Sequence, residues 1–215
     1  MKLVFFGDSI TDMSRNRETA DGNVHSYGKG FVFLVAAELL GRNPKEYTVV
    51  NRGFAGDHIY DLYARLKRDV WNEEPDVVTI LIGINDVEGE RNPCGTSDAR
   101  FEKIYRMLIE ETREKVPNVQ FILCAPFHLY VSEEKSKQYQ ERCRQIPVYE
   151  AIVTRLAKEY NCKTLLLQKA FESEASKFSA EHYIPDGTHP SEAGSKIIAD
   201  EWLKVFAEVE KERKQ

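Results

Sequence analysis

Five short apolar runs recur along the chain with longer helix-patterned stretches between them, and this alternation restricts the fold more than any other feature. The runs are LVFF (3 to 6), YTVVN (47 to 51), DVVTILIG (76 to 83), VQFILCAP (119 to 126) and KTLLL (163 to 167). Each is apolar nearly throughout rather than alternating, the pattern of strands covered on both faces. Between them lie GFVFLVAAELLG (30 to 41), DHIYDLYARLKRDVW (57 to 71), DARFEKIYRMLIEETREKV (98 to 116) and a stretch from about Glu141 to Tyr160. In the third, Phe101, Ile104, Tyr105, Leu108 and Ile109 recur at steps of three and four, which gives a helix one apolar face. A closing helix is expected from Ser191 to Glu212, entered through His189-Pro190-Ser191. Strand and helix in repeated alternation imply right-handed crossovers and a parallel sheet. The expected architecture is α/β, a three-layer doubly wound sandwich around a five-stranded parallel sheet.

A chain of 215 residues suits one α/β domain, and we read residues 1–215 as a single unit. Its net charge of -5 arises from acidic and basic residues interspersed along the chain, so no basic stripe is present to track phosphates, and nucleic acid is not an expected partner. No segment approaches the ~18 apolar residues of a membrane span, and MKLVFF is far short of a secretory h-region. Cytoplasmic location without membrane association is the expectation. Cys94, Cys124, Cys143 and Cys162 lie far apart with no C-x-x-C pair, which fits free thiols in a reducing compartment and disfavours a zinc site.

Ligands of open parallel sheets bind beyond the carboxyl ends of the strands. The first strand is followed by Gly7-Asp8-Ser9, the second by Asn51-Arg52-Gly53, and the third runs into Gly83-Ile84-Asn85-Asp86. Asp186-Gly187-Thr188-His189 precedes the last helix. Singly, each cluster reads as a turn or a helix cap; together they supply the parts for acyl transfer. A serine hydroxyl needs an imidazole to take its proton, and the imidazole needs a carboxylate to fix its tautomer. Ser9, His189 and Asp186 are the candidates. The backbone N–H groups of Ser9 and Gly53 and the side-chain amide of Asn85 are candidate oxyanion donors. Glycine at 53 would keep the backbone open to substrate. Asp8 and Asp86 are expected to brace their loops by accepting backbone N–H bonds. His25, His58, His128 and His182 show no ligand spacing and read as loop or surface residues, with His128 the one able to reach the crevice.

Four blocks, FGDSIT (6 to 11), NRGFAG (51 to 56), GIND (83 to 86) and DGTHP (186 to 190), resemble those of the SGNH hydrolases, also called GDSL esterases. They span nearly the whole chain in the family's order. The resemblance implies a flavodoxin-like SGNH hydrolase fold, serine esterase activity through an acyl-enzyme, Ser9, Gly53, Asn85 and His189 as the family's catalytic set with Asp186 completing the triad, and no cofactor or metal. No G-x-S-x-G is present. GDSITD with Arg15 and Arg17, VVNRGFAGDHIYDLYARLKRDV and DVVTILIGINDV look like the branch containing intracellular carbohydrate acetylesterases such as acetyl xylan esterases. This suggests deacetylation of oligosaccharides, with Tyr27, Phe54, Tyr60 and Phe127 as candidate sugar platforms. Activity is expected to fall below about pH 6 to 7, where an imidazole base protonates. Within the class, the alternative is a lysophospholipase or thioesterase. From other classes, Asp8, Asp12, Asp57, Asp86 and Asp186 could gather around Mg²⁺ for phosphoryl transfer, or the crevice could bind sugar without turnover. Assembly into a homo-oligomer through aromatic residues exposed on the helices is compatible with the sequence.

Overall fold

The structure, a computed structural model, describes residues 1–87, 94–132 and 140–213. The sheet has five parallel strands in the order β2-β1-β3-β4-β5: β1 (Lys2–Gly7), β2 (Thr48–Gly53), β3 (Val77–Leu81), β4 (Gln120–Cys124) and β5 (Lys163–Leu165). Every strand anticipated from the apolar runs is present: β1 runs one residue further at each end, β2 starts one residue later and ends two later, and β3, β4 and β5 stop two residues short.

Successive side chains of a strand point to opposite faces, and unbroken apolar runs therefore feed two cores. Leu3 and Phe5 of β1 face one layer with Val49, Val77 and Ile122; Val4 and Phe6 face the other with Val50, Val78 and Leu123. The first layer is closed by α2 (Phe31–Arg42) and by the closing helix α8 (Glu192–Arg213), through Val32, Val35, Leu39, Ile198 and Trp202. The second is closed by α3 (Ile59–Asp69), α4 (Asp98–Lys115) and α5 (Gln140–Glu159), through Leu62, Leu66, Phe101, Leu108 and Val153. Thr79, polar amid the apolar β3, accepts the indole N–H of Trp202 at 2.9 Å, so the buried pair satisfies itself.

The remaining helices are short. A single turn, α1 (Ser9–Asp12), follows β1; α6 (Gln168–Ala175) and α7 (Ala180–Tyr183) lie between β5 and α8, and 3₁₀ turns cover Val24–Tyr27 and Trp71–Glu73. The helix expected over 57–71 begins at Ile59, stops at Asp69 and passes into the second of these turns. The sequence also reads as surface loop over 86–97 and 127–140 and as a solvated charge run at the terminal EVEKERKQ; of these, 88–93, 133–139 and the last two residues lie outside the described residues. Among the described residues no helix is long and apolar enough to cross a membrane, and all four cysteines are unpaired.

The chain leaves β1 for the edge strand β2 and returns on the other side of β1 to form β3. Crossovers then run on opposite faces, and the loops after β1 and β3 part to open a crevice. Ser9 and Asn85 stand there.

Candidate active site

Ser9 is the first residue of α1, and Asp8 caps that turn by accepting the Ile10 N–H at 2.9 Å. The cap places the Ser9 hydroxyl at the strand mouth, where it meets His189 Nε2 at 2.8 Å. His189 Nδ1 lies 2.6 Å from Asp186 Oδ2. The other oxygen of Asp186 accepts the backbone N–H groups of His189 at 2.7 Å and Thr188 at 2.9 Å. Partial burial of Asp186 would raise its pKa, but the ring of His189 and those two N–H groups more than offset this and hold the carboxyl well below its usual range. An ionised Asp186 accepts a hydrogen bond from the Nδ1–H and so leaves Nε2 as acceptor for the serine hydroxyl. The three residues thus form one hydrogen-bonded chain from carboxylate to hydroxyl.

The serine turn is locked to β2 from below. Buried Asn51 donates its Nδ2 to the carbonyls of Thr11 (2.7 Å) and Tyr27 (2.8 Å). Its Oδ1 accepts the N–H of Gly53 at 2.8 Å. From α3, Arg65 donates to the carbonyls of Gly7 (3.1 Å) and Arg52 (2.8 Å) while paired with Asp57 and Asp69. Neither Asn51 nor Arg65 stands out as functional from composition or spacing. The available signal is a polar residue ending an apolar strand in the first case and an arginine inside the apolar stripe Leu62-Leu66 in the second.

Gly53 does not have the place expected of it. Its N–H is already given to Asn51, and a Cβ there would come within 2.3 Å of the Asp12 nitrogen and 2.6 Å of the Thr11 carbonyl carbon. Gly53 is glycine so that α1 can lie directly on β2, not to admit a substrate. Three residues on, Gly56 occupies an exposed turn at φ +88° with open space beside it, and no acceptor for its N–H is present among the described hydrogen bonds. The block NRGFAG holds both glycines, and only their packing separates them. Asn85 Nδ2 donates to the Asp57 carbonyl at 3.0 Å, which fixes the amide beside the Gly56 turn.

Asp8 and Asp86 act as braces. Both oxygens of Asp86 accept the Ile59 N–H, at 3.0 and 3.1 Å, tying α3 to the loop after β3. Burial, only partly countered by its bond from Ile10, pushes Asp8 up to about 7. Burial likewise raises Asp86 to about 6 against its bond from Ile59. Asp12 holds Arg17 and the N–H groups of Arg15 and Ala55, and Asp57 holds Arg65. The five aspartates of the magnesium reading are therefore committed one by one, and among the described residues no three His, Cys, Asp or Glu groups converge as cation ligands. Of the remaining histidines, His25 and His182 are exposed, His58 is partly buried at the N-cap of α3, and His128 is buried against Gly187. Tyr27 and Phe127 are buried in the core, so neither is a sugar platform, whereas Phe54 and Tyr60 are half exposed.

A five-stranded, doubly wound parallel sheet with a Ser–His–Asp chain at its carboxyl edge defines an esterase of the GDSL/SGNH type. The chain belongs to the GDSL-like lipase/acylhydrolase family, which matches residues 5–197. It is 32% identical to an acetylxylan esterase of Geobacillus stearothermophilus, over 94% of this chain and 92% of that one. It is 25% identical to an isoamyl acetate-hydrolyzing esterase of Saccharomyces cerevisiae, over 95% and 85%. Among solved structures, Axe2, an acetylxylan esterase from G. stearothermophilus, superposes with a TM-score of 0.83 at 34% identity, covering 95% of this chain and 93% of that one. LAE5, an alpha/beta hydrolase enzyme from the metagenome of Lake Arreo, gives 0.84 at 31% identity, covering 95% and 94%. Two further Axe2 structures are of catalytic mutants, one with a serine and one with an aspartate replaced by alanine.

Proposed function

We propose that the protein is a carbohydrate acetylesterase that works through an acetyl-enzyme on Ser9. The observation that carries the reading is the continuous hydrogen-bonded chain Asp186–His189–Ser9. His189 Nε2 takes the hydroxyl proton as Ser9 Oγ attacks the ester carbonyl, then returns it to the leaving alcohol; water, deprotonated by the same nitrogen, releases acetate. The oxyanion is received by the N–H groups of Ser9 and Gly56 and by the amide of Asn85, with Gly56 replacing Gly53 in that set. Catalytic mutants of Axe2 at a serine and an aspartate agree with these roles.

Both named relatives act on acetate esters, which supports acetyl as the acyl group over the longer chains of a lysophospholipase. A sugar as the leaving alcohol is supported by the nearer of these relatives, the acetylxylan esterase, and by Phe54 and Tyr60, 39% and 37% exposed. The two residues flank the Gly56 turn. Phe54 is anchored by its N–H to the Gly7 carbonyl at 2.9 Å and carries the Arg17 guanidinium 3.7 Å above its ring, while Tyr60 stacks on His58. Rings placed so are suited to the apolar face of a sugar. Unpaired cysteines suit a reducing compartment, which supports a cytoplasmic setting for the reaction.

The test is acetate release from acetylated xylo-oligosaccharides, set against hydrolysis of isoamyl acetate and 4-nitrophenyl octanoate. The sugar esters are expected to be preferred, with Phe54→Ala raising their KM several-fold and leaving ethyl acetate hydrolysis unchanged. A preference for octanoate would instead favour the lysophospholipase or thioesterase reading.

A further inference from the structure

The turn that carries Asp186 and His189 rests on a residue the mechanism above does not use. His128, in the loop after β4, is 3% exposed. Its ring lies directly under Gly187: a Cβ there would meet His128 Cε1 at 2.8 Å and the Leu129 carbonyl at 2.7 Å. Gly187 also has φ +84°, so both backbone and space demand glycine. The next residue, Thr188, brings its buried hydroxyl to 3.5 Å from His128 Nδ1, and the Leu129 N–H donates to the Gly187 carbonyl at 3.1 Å. Both residues between the triad aspartate and the triad histidine are thus seated on His128 and its neighbour.

His128 is itself clasped. Gln168, opening α6, accepts the His128 N–H and donates to the His128 carbonyl, each at 3.0 Å, and its amide also donates to Glu172 one turn on at 2.8 Å. The support runs from α6 through the two-way amide clasp to the imidazole, and from there to the turn. Asp186 and His189 have side chains about half exposed, so their position depends on how this turn is held from below.

We infer that His128, held by Gln168, is a positioning residue that sets the Asp186–His189 turn at reacting distance from Ser9. The inference rests on the triad reading. Displacement of a reacting group by about 1 Å can cost up to ~10²-fold in rate without touching substrate binding, so the effect belongs in kcat and not in KM.

The experiment compares wild type, Ser9→Ala, His128→Ala, His128→Phe and Gln168→Ala on 4-nitrophenyl acetate, well below each thermal midpoint. The downfield proton resonance between His189 and Asp186, identified by its disappearance in His189→Ala, is recorded alongside. We expect His128→Ala and Gln168→Ala to lower kcat about tenfold with KM within about twofold and to shift or broaden that resonance. His128→Phe, which again fills the space under Gly187, should recover most of kcat. Gln168→Ala, whose lost contacts are with the His128 backbone and Glu172, carries the test if His128→Ala does not fold. Folded His128→Ala or Gln168→Ala enzyme with kcat and resonance unchanged, beside an inactive Ser9→Ala, overturns the inference alone. Full activity of Ser9→Ala overturns the triad reading and the inference with it.

Discussion

Asp8 shows how one residue can hold a catalytic turn and cost stability doing so. It caps α1, yet its carboxyl lies fully buried beneath Ser9. Its folded pKa of about 7 stands above the unfolded 3.8, so the fold favours the protonated form. The group therefore costs nothing below the unfolded value; the cost grows as pH rises towards about 7 and then levels off. Asp8→Asn keeps an acceptor for Ile10 and carries no charge. The difference in thermal midpoint between Asp8→Asn and wild type should widen in favour of the variant from pH 5 to pH 8; a gap independent of pH would contradict the assignment. Asn85 belongs to the proposed oxyanion set. Asn85→Ala should cost about 2.7 to 4 kcal/mol of transition-state stabilisation, read as a fall in kcat of about 10² to 10³. A change in KM with kcat intact would place Asn85 in ground-state binding. At this scale the sequence is informative where chemistry needs a particular side chain, as at Ser9, Asn85, Asp186 and His189. It is ambiguous where a backbone N–H is needed, because any glycine offers one. Gly53 and Gly56 stand three positions apart in one block, and only the fold reveals that the Gly53 N–H is bonded inward to Asn51, which leaves Gly56 for the proposed oxyanion set.

Among the elements, α1 matters most, a single turn pressed onto β2 and held by Asn51. Gly53→Ala would drive a methyl group into the backbone of Thr11 and Asp12, which Asn51 prevents from yielding. We expect a loss of about 3 kcal/mol or more in unfolding free energy, the upper end for overpacking because the clash is with backbone. Gly56→Ala should lose only about 1 to 2 kcal/mol, the cost of a left-handed residue facing open space. Denaturant midpoints of the two variants check the ordering, and equal losses would refute the packing role given to Gly53. The long elements were legible because each buries a periodic apolar stripe. The short α6 and α7 were not: α6 buries only Phe171 and α7 only Tyr183, too few residues to mark a period. Their presence matters because α6 supplies Gln168.

Taken whole, the molecule brings distant segments to one edge through its winding. Ser9 and His189 lie 180 positions apart in the chain and 2.8 Å apart in space. The order β2-β1-β3-β4-β5 parts the loops after β1 and β3 at that edge, and α8, packed through Trp202 onto Phe5 and bonded to Thr79, returns the DGTH turn to it. Unbroken apolar strands announced a sheet covered on both faces, and the four polar clusters announced its working edge. The support from Asn51 and Arg65 was not legible because their side chains bind backbone carbonyls that no sequence pattern marks, and His128 could be singled out only as able to reach the crevice, since its ring contacts with Gly187 and Thr188 depend on the fold. The most direct measurement is mass spectrometry of enzyme quenched during turnover of 4-nitrophenyl acetate. The account predicts one acetyl group on the peptide containing Ser9, much reduced when His189 is replaced, because acylation needs that base, and absent in an inactive Ser9→Ala. An acetyl group on another residue, or Ser9→Ala turning over at the wild-type rate, would contradict it.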